Sequence, residues 1–271
     1  MKEFLETASA AARAAGAVQK QRYGGAFAIN YKGETDLVTE VDQTCEALIV
    51  ETIRKRHPGH DILAEENDYA SLQSGFTWVI DPLDGTTNYA HGIPWFCVSI
   101  ALEVENQIKM GVIYHPMMEQ LFTVVQGEGA FLNGERLNVS DRTPLRQCLL
   151  ATGFPYDRSV DPDTNFENFM KFQKSARAVR RFGAAALDLA YVATGRLDGF
   201  WESNLQPWDV AAGALLVTEA GGLVTGYAGE PYAIRNHRIV ASNGLIHYKM
   251  LEILAVEVAG TTSNLRGIPE N

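Results

Sequence analysis

The segment Asp81-Pro-Leu-Asp84-Gly-Thr86-Thr87 directly follows Val79-Ile80, the end of a predicted apolar strand. Two carboxylates this close at a buried strand end repel each other unless a cation or a proton lies between them. Their oxygens are the ligands that Mg²⁺, Mn²⁺ and Ca²⁺ prefer. The Gly-Thr-Thr that follows offers N–H groups and hydroxyls that suit a phosphate oxygen. Taken alone, the segment fits a metal site and a loop capped by its own Asp side chains equally well.

Three more acidic residues lie beside predicted secondary structure. Glu65 follows an apolar strand, Asp209 precedes the helical pattern Val210–Ala220, and Asp42 lies three residues after Thr39. Each has a local explanation: Glu65 as a solvated strand edge, Asp209 as a carboxylate at a helix N-terminus, and Asp42 as half of a capping box. None of the three indicates a site by itself.

Hydrophobic periodicity divides the chain into helices and strands. The predicted helices cover residues 2–22, 39–56, 164–176, 184–194, 208–220 and 245–257. The predicted strands cover residues 61–64, 76–80, 95–104, 107–114, 120–125, 149–152 and 197–201. We expect one compact unit with two halves, residues 1–145 (α+β) and 146–259 (α/β), and a disordered tail at 260–271.

Composition limits the class of protein. The chain has 271 residues, of which 46% are hydrophobic and 21% are charged, as in an ordinary globular protein. Its net charge of -10 argues against direct nucleic-acid binding, although metal ions would still allow anionic substrates. Cys45, Cys97 and Cys148 are widely spaced, which favours a reducing cytoplasm. We expect no membrane association, because no apolar run reaches the length of a membrane span.

Two long motifs together resemble the signature regions of the inositol monophosphatase family. They are DPLDGTTN at residues 81–88 and WDVAAGALLVTEAGG at residues 208–222. Residues 36–42, 64–67 and 183–202 support the resemblance, which runs from about residue 5 to residue 257. It implies the fold of that family and of fructose-1,6-bisphosphatase, a layered α/β fold in the form of an alternating αβαβα five-layer sandwich.

The resemblance also implies a ligand set for two or three Mg²⁺ ions. The matching positions are Glu65, Asp81, the backbone carbonyl of Leu83, Asp84 and Asp209. In that scheme Asp81 bridges two ions. Most of these ligands lie in the first predicted half, whereas Asp209 lies in the second.

Further positions match the catalytic and substrate-binding residues of the family. Thr86 matches the residue that contacts the nucleophilic water, Asp42 matches its orienting or deprotonating partner, and Glu65 contributes to catalysis through its ion. The positions that match substrate contacts are Asp84, Gly85, Thr86, Thr87, Ala185 and Glu202.

The activity implied is Mg²⁺-dependent hydrolysis of a phosphate monoester, most specifically of myo-inositol 1-phosphate, by direct attack of water. Related enzymes of this superfamily hydrolyse fructose 1,6-bisphosphate, histidinol phosphate or 3'-phosphoadenosine phosphates, and the sequence leaves these alternatives open. Phosphatases of the haloacid dehalogenase type use a DxDxT spacing instead, which Asp81 and Asp84 do not match. Family resemblance further implies sensitivity to lithium and a homodimer.

A different class of function is also open. Some bacterial relatives resemble accessory factors of the transcription machinery. Arg177, Arg180 and Arg181 form a small basic cluster that would suit contact with a protein of that machinery. Solvated charges at the end of a helix would explain the same three residues.

Overall fold

The computed structural model describes residues 1–25, 29–31, 37–155 and 164–255. Its helices are α1 (Lys2–Arg22), α2 (Glu40–Arg56), α3 (Thr86–Ala90), α4 (Phe166–Ser175), α5 (Ala185–Ala193), α6 (Pro207–Glu219) and α7 (His247–Ala255). None of the helices in these described ranges is long and apolar enough to cross a membrane.

The first large sheet has seven strands in the order β3-β4-β5-β6-β7-β8-β9. The strands are β3 (Asp61–Ala64), β4 (Phe76–Asp84), β5 (Cys97–Val104), β6 (Gln107–His115), β7 (Gln120–Val125), β8 (Gly129–Leu132) and β9 (Glu135–Arg136). β3 and β4 pair in parallel, and the remaining neighbours pair antiparallel. Before this sheet, β1 (Ile29–Tyr31) and β2 (Leu37–Thr39) form an antiparallel pair.

The second large sheet has five strands in the order β11-β10-β12-β14-β13. The strands are β10 (Leu149–Thr152), β11 (Ala178–Arg180), β12 (Gly199–Ser203), β13 (Leu223–Thr225) and β14 (Arg238–Ser242). β10 pairs in parallel with β11 and β12, while β14 pairs antiparallel with β12 and β13. A short 3₁₀ helix, Leu145–Gln147, lies between the two sheets in the sequence.

Helices and sheets alternate in five layers. α1 and α2 pack on one face of the seven-stranded sheet, and α5 and α6 lie between the two sheets. α4 and α7 pack on the outer face of the five-stranded sheet. The αβαβα sandwich expected from the sequence is therefore confirmed.

β5 shows why the first sheet is covered on both faces. Val98, Ile100 and Leu102 point into the core beneath α1 and α2, whereas Cys97 and Ala101 point into the core beneath α5 and α6. Neighbouring residues of a strand face opposite sides, so an unbroken apolar strand needs a partner layer on each side.

Small residues bring α1 close to the first sheet. Ala8, Ala11, Ala12 and Ala15 are fully buried along one stripe of the helix. A Cβ atom on Gly16 would lie 2.6 Å from the Tyr114 ring on β6, so glycine is required at this contact. The helix thus packs on the sheet with little side-chain volume between them.

The predicted helices all occur, with ends within about two residues of those expected. Seven strands, β1, β2, β8, β9, β11, β13 and β14, and the short helix α3 are absent from the predicted elements. The strand predicted from Trp95 begins at Cys97. The predicted end of the last helix at residues 256–257 and the tail at 260–271 lie outside the described residues. The division into residues 1–145 and 146–259 falls in the 3₁₀ helix between the sheets and is retained as a proposal.

Candidate active site

A β-bulge at the end of β4 aims Asp81 and Asp84 into the same space. Residues three apart on a regular strand face opposite sides of a sheet. Here Asp81 pairs with Ser99 and Asp84 pairs with Cys97, so three steps along β4 match two steps along β5. The extra residue turns both carboxylates toward the layer between the sheets, a use of bulges that is common near active sites.

Both carboxylates line a cavity of about 420 Å³ between the two sheets. Every metal ligand predicted from the sequence reaches it. The residues from the first half are Glu65, Asp81, Leu83, Asp84, Gly85 and Thr86. The residues from the second half are Phe154, Pro155, Glu202, Ser203, Asn204, Leu205, Gln206, Trp208 and Asp209.

Burial and mutual repulsion raise the pKa values of these carboxyl groups. Burial raises the pKa of Asp81 well above its ordinary value, and the carboxylates of Glu65, Asp84 and Asp209 raise it further. Burial raises the pKa of Asp84 to about 7, against the lowering effect of a hydrogen bond from the Ala186 N–H. Ionised carboxylates crowded into a buried cavity are costly unless positive charge compensates them.

The donor chemistry of the site fits a hard divalent cation, which prefers carboxylate and carbonyl oxygens. Within residues 1–25, 29–31, 37–155 and 164–255, no three Asp, Glu, His or Cys side chains are already grouped to hold one ion. The fit to a cation therefore rests on the oxygen donors and on the repulsion that a cation would relieve.

Thr86 and Asp42 form a hydrogen-bonded pair at the wall of the cavity. The Thr86 Oγ1 lies 3.0 Å from Asp42 Oδ1 and 3.0 Å from the Leu83 carbonyl oxygen, so its single proton has two acceptors. Asp42 is fully buried behind Thr86, and burial raises the pKa of its carboxyl group. The hydroxyl oxygen therefore keeps lone pairs that can accept a hydrogen bond from a water that enters the cavity.

The capping role and the site role of Asp42 use different oxygens. Asp42 Oδ2 accepts a hydrogen bond from the Thr39 N–H at 2.9 Å, which caps α2, while Oδ1 faces Thr86. Asp209 similarly accepts from the Gln206 N–H at 2.7 Å at the start of α6 and also lines the cavity. Asp42 and Asp209 can therefore cap their helices and take part in the site at the same time.

Gly85 and Thr87, two further predicted substrate contacts, differ in their position relative to the cavity. Gly85 lines the cavity with a φ of 95°, and a Cβ there would lie 2.8 Å from the Trp95 carbonyl oxygen, so glycine is required. Thr87 is exposed on α3 and is not among the residues that line the cavity. The structure therefore does not place the Thr87 side chain beside the other predicted substrate contacts.

A smaller cavity of about 70 Å³ adjoins the first and shares Asp84, Glu202 and Asp209 with it. Ala185, a predicted substrate contact, lines this smaller cavity. A Cβ on Gly153 would lie 1.9 Å from Glu202 Oε1, so glycine leaves the space in which the carboxyl group lies. Burial raises the pKa of Glu202 to about 8.

Asp188 also lines the smaller cavity, and it is not among the site residues predicted from the sequence. Its side chain is 1% exposed, and its Oδ1 has no hydrogen-bond partner among the described residues. Burial raises its pKa well above the ordinary value, and the neighbouring Glu202 carboxylate adds to that effect. Asp188 could have been recognised from the sequence, because it is the only charged residue in the otherwise apolar helix α5.

Only Arg177 of the basic cluster lies near a helix end, two residues after α4, so the explanation as charges at a helix end does not cover Arg180 and Arg181. Arg180 belongs to β11, the edge strand of the second sheet, and Arg177 directly precedes that strand. Arg181 follows β11 and lines the smaller cavity, where its charge lowers the pKa values of Asp188 and Glu202. The three arginines are exposed.

Comparison with known proteins adds relatives over the whole chain. An inositol-1-monophosphatase of Synechocystis is 44% identical over 257 residues, which cover 94% of this chain and 90% of the relative. The protein of Escherichia coli K12 called Nus factor SuhB is 43% identical over 262 residues, covering 96% of this chain and 98% of the relative.

Solved structures agree with the sequence relatives. An inositol monophosphatase from Anabaena superposes with a TM-score of 0.85 at 45% identity, covering 93% of this chain and 95% of the other. The extragenic suppressor protein SuhB from Bartonella henselae superposes with a TM-score of 0.90 at 41% identity, covering 94% and 100%. The sequence profile described as the Inositol monophosphatase family matches residues 1–260. This chain therefore belongs to the inositol monophosphatase family.

Proposed function

We propose that this protein is a Mg²⁺-dependent phosphate monoester hydrolase that acts on a phosphorylated polyol, with myo-inositol 1-phosphate as the first candidate. One observation carries the proposal: the bulge at Asp81 and Asp84 opens into a carboxylate-lined cavity whose wall holds the Thr86–Asp42 pair. Family membership supports a phosphatase and a divalent metal ion.

Glu65, Asp81, the Leu83 carbonyl, Asp84 and Asp209 would hold two or three Mg²⁺ ions. When bound, Mg²⁺ neutralises phosphoryl oxygens, lowers the pKa of an attacking water and stabilises the leaving alkoxide. This chemistry compensates the negative charge of the ring of carboxylates and of the phosphate at the same time.

The residues of the chain orient the attacking water. Thr86 Oγ1 donates its proton to Asp42 Oδ1, so the hydroxyl oxygen accepts a hydrogen bond from the water and aims it at phosphorus. Asp42 is buried behind the hydroxyl and takes up the proton through Thr86. No side chain is bonded covalently to phosphorus, so the phosphoryl group passes directly to water.

The second half of the cavity would bind the alcohol part of the substrate. The Glu202 carboxyl group and the α5 N-terminus around Ala185 lie beside Asp84, within hydrogen-bonding surroundings that suit hydroxyl groups. Gly85 and Thr86, which line the cavity, would surround the phosphate. The phosphate would then lie next to the predicted metal ligands, and the polyol would lie next to Glu202.

A phosphate-release screen tests the proposal. The purified protein is assayed with Mg²⁺ on myo-inositol 1-phosphate, fructose 1,6-bisphosphate, histidinol phosphate and 3'-phosphoadenosine 5'-phosphate, each with and without lithium. We expect fastest release from myo-inositol 1-phosphate, loss of activity on chelation of Mg²⁺, and inhibition by lithium. Preference for another of the four substrates would reassign the substrate, and no release from any of them would refute the proposed activity.

A second candidate function is an accessory role in transcription. The observation that favours it is the 43% identity to Nus factor SuhB of E. coli over nearly the full length of both chains. The exposed Arg177 and Arg180 at the β11 edge would face a protein of the transcription machinery. Pull-down of that machinery by the wild-type protein, but not by a variant with Arg177→Glu and Arg180→Glu, would support this function.

Two properties complete the proposal. We propose a homodimer, on the basis of the family resemblance, with no direct contact to nucleic acid or membrane. We propose the cytoplasm as its compartment, because Cys45, Cys97 and Cys148 are free and buried. Size-exclusion chromatography with light scattering would distinguish the dimer from a monomer.

A further inference from the structure

Glu46 is a fully buried carboxylate on α2 that sequence analysis did not single out. It lies one helical turn after Asp42 and therefore on the same face of the helix. Its Oε2 accepts a hydrogen bond from the Glu66 N–H at 2.8 Å. Its Oε1 accepts from Asn67 Nδ2 at 2.8 Å and from the Tyr69 hydroxyl at 2.9 Å.

All three donors lie in the segment that directly follows Glu65. That segment leaves β3 at Ala64, where the regular sheet hydrogen bonds to β4 end. A carboxylate that accepts three hydrogen bonds fixes the backbone of Glu66 and the side chains beyond it. Glu46 on α2 thereby sets the direction in which the Glu65 carboxylate faces the cavity.

α2 consequently contacts two segments of the site at once. Asp42 accepts a hydrogen bond from Thr86, which lines the cavity, and Glu46 accepts from residues 66–69, which directly follow the cavity residue Glu65. Because an α-helix is rigid over one turn, the distance between Thr86 and the segment after Glu65 depends on α2 rather than on the loops themselves.

We infer that Glu46 is a positioning residue for the predicted metal ligand Glu65, acting through the Glu66 backbone, Asn67 and Tyr69. This inference rests on the proposed function, and it adds a residue that touches neither substrate nor metal ion. Partners that orient metal ligands typically change metal affinity by about 10- to 100-fold when they are removed.

The main variant is Glu46→Gln. The amide has one acceptor oxygen and places an NH₂ group against a donor, so it loses either the Glu66 hydrogen bond or both side-chain hydrogen bonds. The volume of the side chain is almost unchanged. The probe is Mn²⁺ alone, with its dissociation constant measured by titration calorimetry and by electron paramagnetic resonance.

Asp61→Asn is the matched control. Asp61 is a buried carboxylate at the other end of β3, and it accepts hydrogen bonds from the Ser74 N–H at 2.8 Å and from Ser74 Oγ at 2.7 Å. It therefore holds a loop as Glu46 does, but away from the cavity. Both variants are compared with the wild type in melting temperature and in circular dichroism.

We expect Glu46→Gln to weaken Mn²⁺ binding by about tenfold or more, and Asp61→Asn to leave it unchanged. We also expect kcat of Glu46→Gln to recover at high metal concentration, because the groups that activate water are intact. Should Glu46→Gln fail to fold, the double variant Asn67→Ala with Tyr69→Phe tests the same contact, and we expect weaker Mn²⁺ binding there as well.

Equal Mn²⁺ binding by the folded Glu46→Gln variant and the wild type would overturn the role of Glu46 and leave the proposed function intact. Equal losses in Glu46→Gln and Asp61→Asn would also overturn it, since general loosening of β3 would then explain both. A wild-type protein that binds no Mn²⁺ would contradict the proposed function itself, and the assignment of Glu46 with it.

Discussion

Asp42 and Thr86 are 44 residues apart in the sequence, yet Thr86 Oγ1 lies 3.0 Å from Asp42 Oδ1 in the interior of the protein. The contact joins the first turn of α2 to the turn that follows β4. It turns a helix cap and a strand end, each unremarkable by itself, into one arrangement able to orient a water. The proposed mechanism depends on this contact.

Thr86→Val removes that contact while keeping the shape of the side chain. Loss of the hydroxyl that orients the water should lower kcat by about 10²- to 10⁴-fold. The Mn²⁺ dissociation constant should change little, because the carboxylates remain. Steady-state kinetics and Mn²⁺ titration provide the two measurements. Thr44→Val is the control, since its hydroxyl donates to the Glu40 carbonyl oxygen on the exposed side of α2. A kcat near that of the control would contradict the role of Thr86.

Asp84→Asn removes one of the repelling carboxylates but keeps an oxygen that can accept from the Ala186 N–H, now 2.8 Å away. Without metal, the variant should melt at the same temperature as the wild type or higher, because burial of the Asp84 charge is unfavourable. The wild type should gain stability from added Mg²⁺ or Mn²⁺, and the variant should not. Thermal melts with and without the metal measure both effects. A full metal-induced shift in the variant would exclude Asp84 from the ligand set.

Gly153→Ala tests the polyol end of the site. The new Cβ would lie 1.9 Å from Glu202 Oε1, so the carboxyl group must move. We expect KM for myo-inositol 1-phosphate to rise, with little change for p-nitrophenyl phosphate, which has no polyol. Gly59→Ala is the control, because its Cβ would meet nothing within 4 Å. Equal effects on the two substrates would show that Gly153 does not act through recognition of hydroxyl groups.

We expect the buried, neutral His247 to make the folded protein less stable in mild acid. Its Nε2 lies 2.9 Å from Thr225 Oγ1, whose proton goes to the Gly226 carbonyl, so Nε2 carries the hydrogen and Nδ1 accepts from Ser242. Burial lowers the pKa of His247 from 6.5 to about 4. The unfolded chain therefore binds the proton more readily between pH 6.5 and pH 4, and stability falls as the pH drops through that window.

The size of this effect is at most about 3 to 4 kcal/mol, from about 1.4 kcal/mol for each unit of pKa difference. Urea unfolding of the wild type and of His247→Gln at several pH values between 4 and 7 measures it. The variant should show a shallower loss toward low pH. A remaining slope is expected from His115, whose pKa burial also lowers to about 4. Identical slopes in the two proteins would contradict the prediction for His247.

The main architecture was predictable because apolar periodicity and turn residues mark the ends of the elements. α2 starts after its cap at Thr39, and the Asn133-Gly134 turn joins β8 to β9. Short edge strands carry too little pattern to be recognised. For this reason the sequence does not predict β11, and Arg180 is assigned only to a small basic cluster or to charges at the end of a helix.

The site was predictable in its residues more than in its geometry. The motif from Asp81 to Thr87 indicated the carboxylates, whereas the bulge that turns both toward one cavity depends on the register with β5. Glu46 reads from the sequence as an ordinary helix residue, and only its three hydrogen bonds across 20 or more residues reveal its place beside the site.

Phosphate release from myo-inositol 1-phosphate, measured against Mg²⁺ concentration for the wild type and Asp84→Asn side by side, tests the proposed active site most directly. We predict saturable, Mg²⁺-dependent release by the wild type, and little release by a variant that remains folded. Release by the wild type that is independent of Mg²⁺, or full activity of Asp84→Asn at ordinary Mg²⁺ concentration, would contradict the proposed active site.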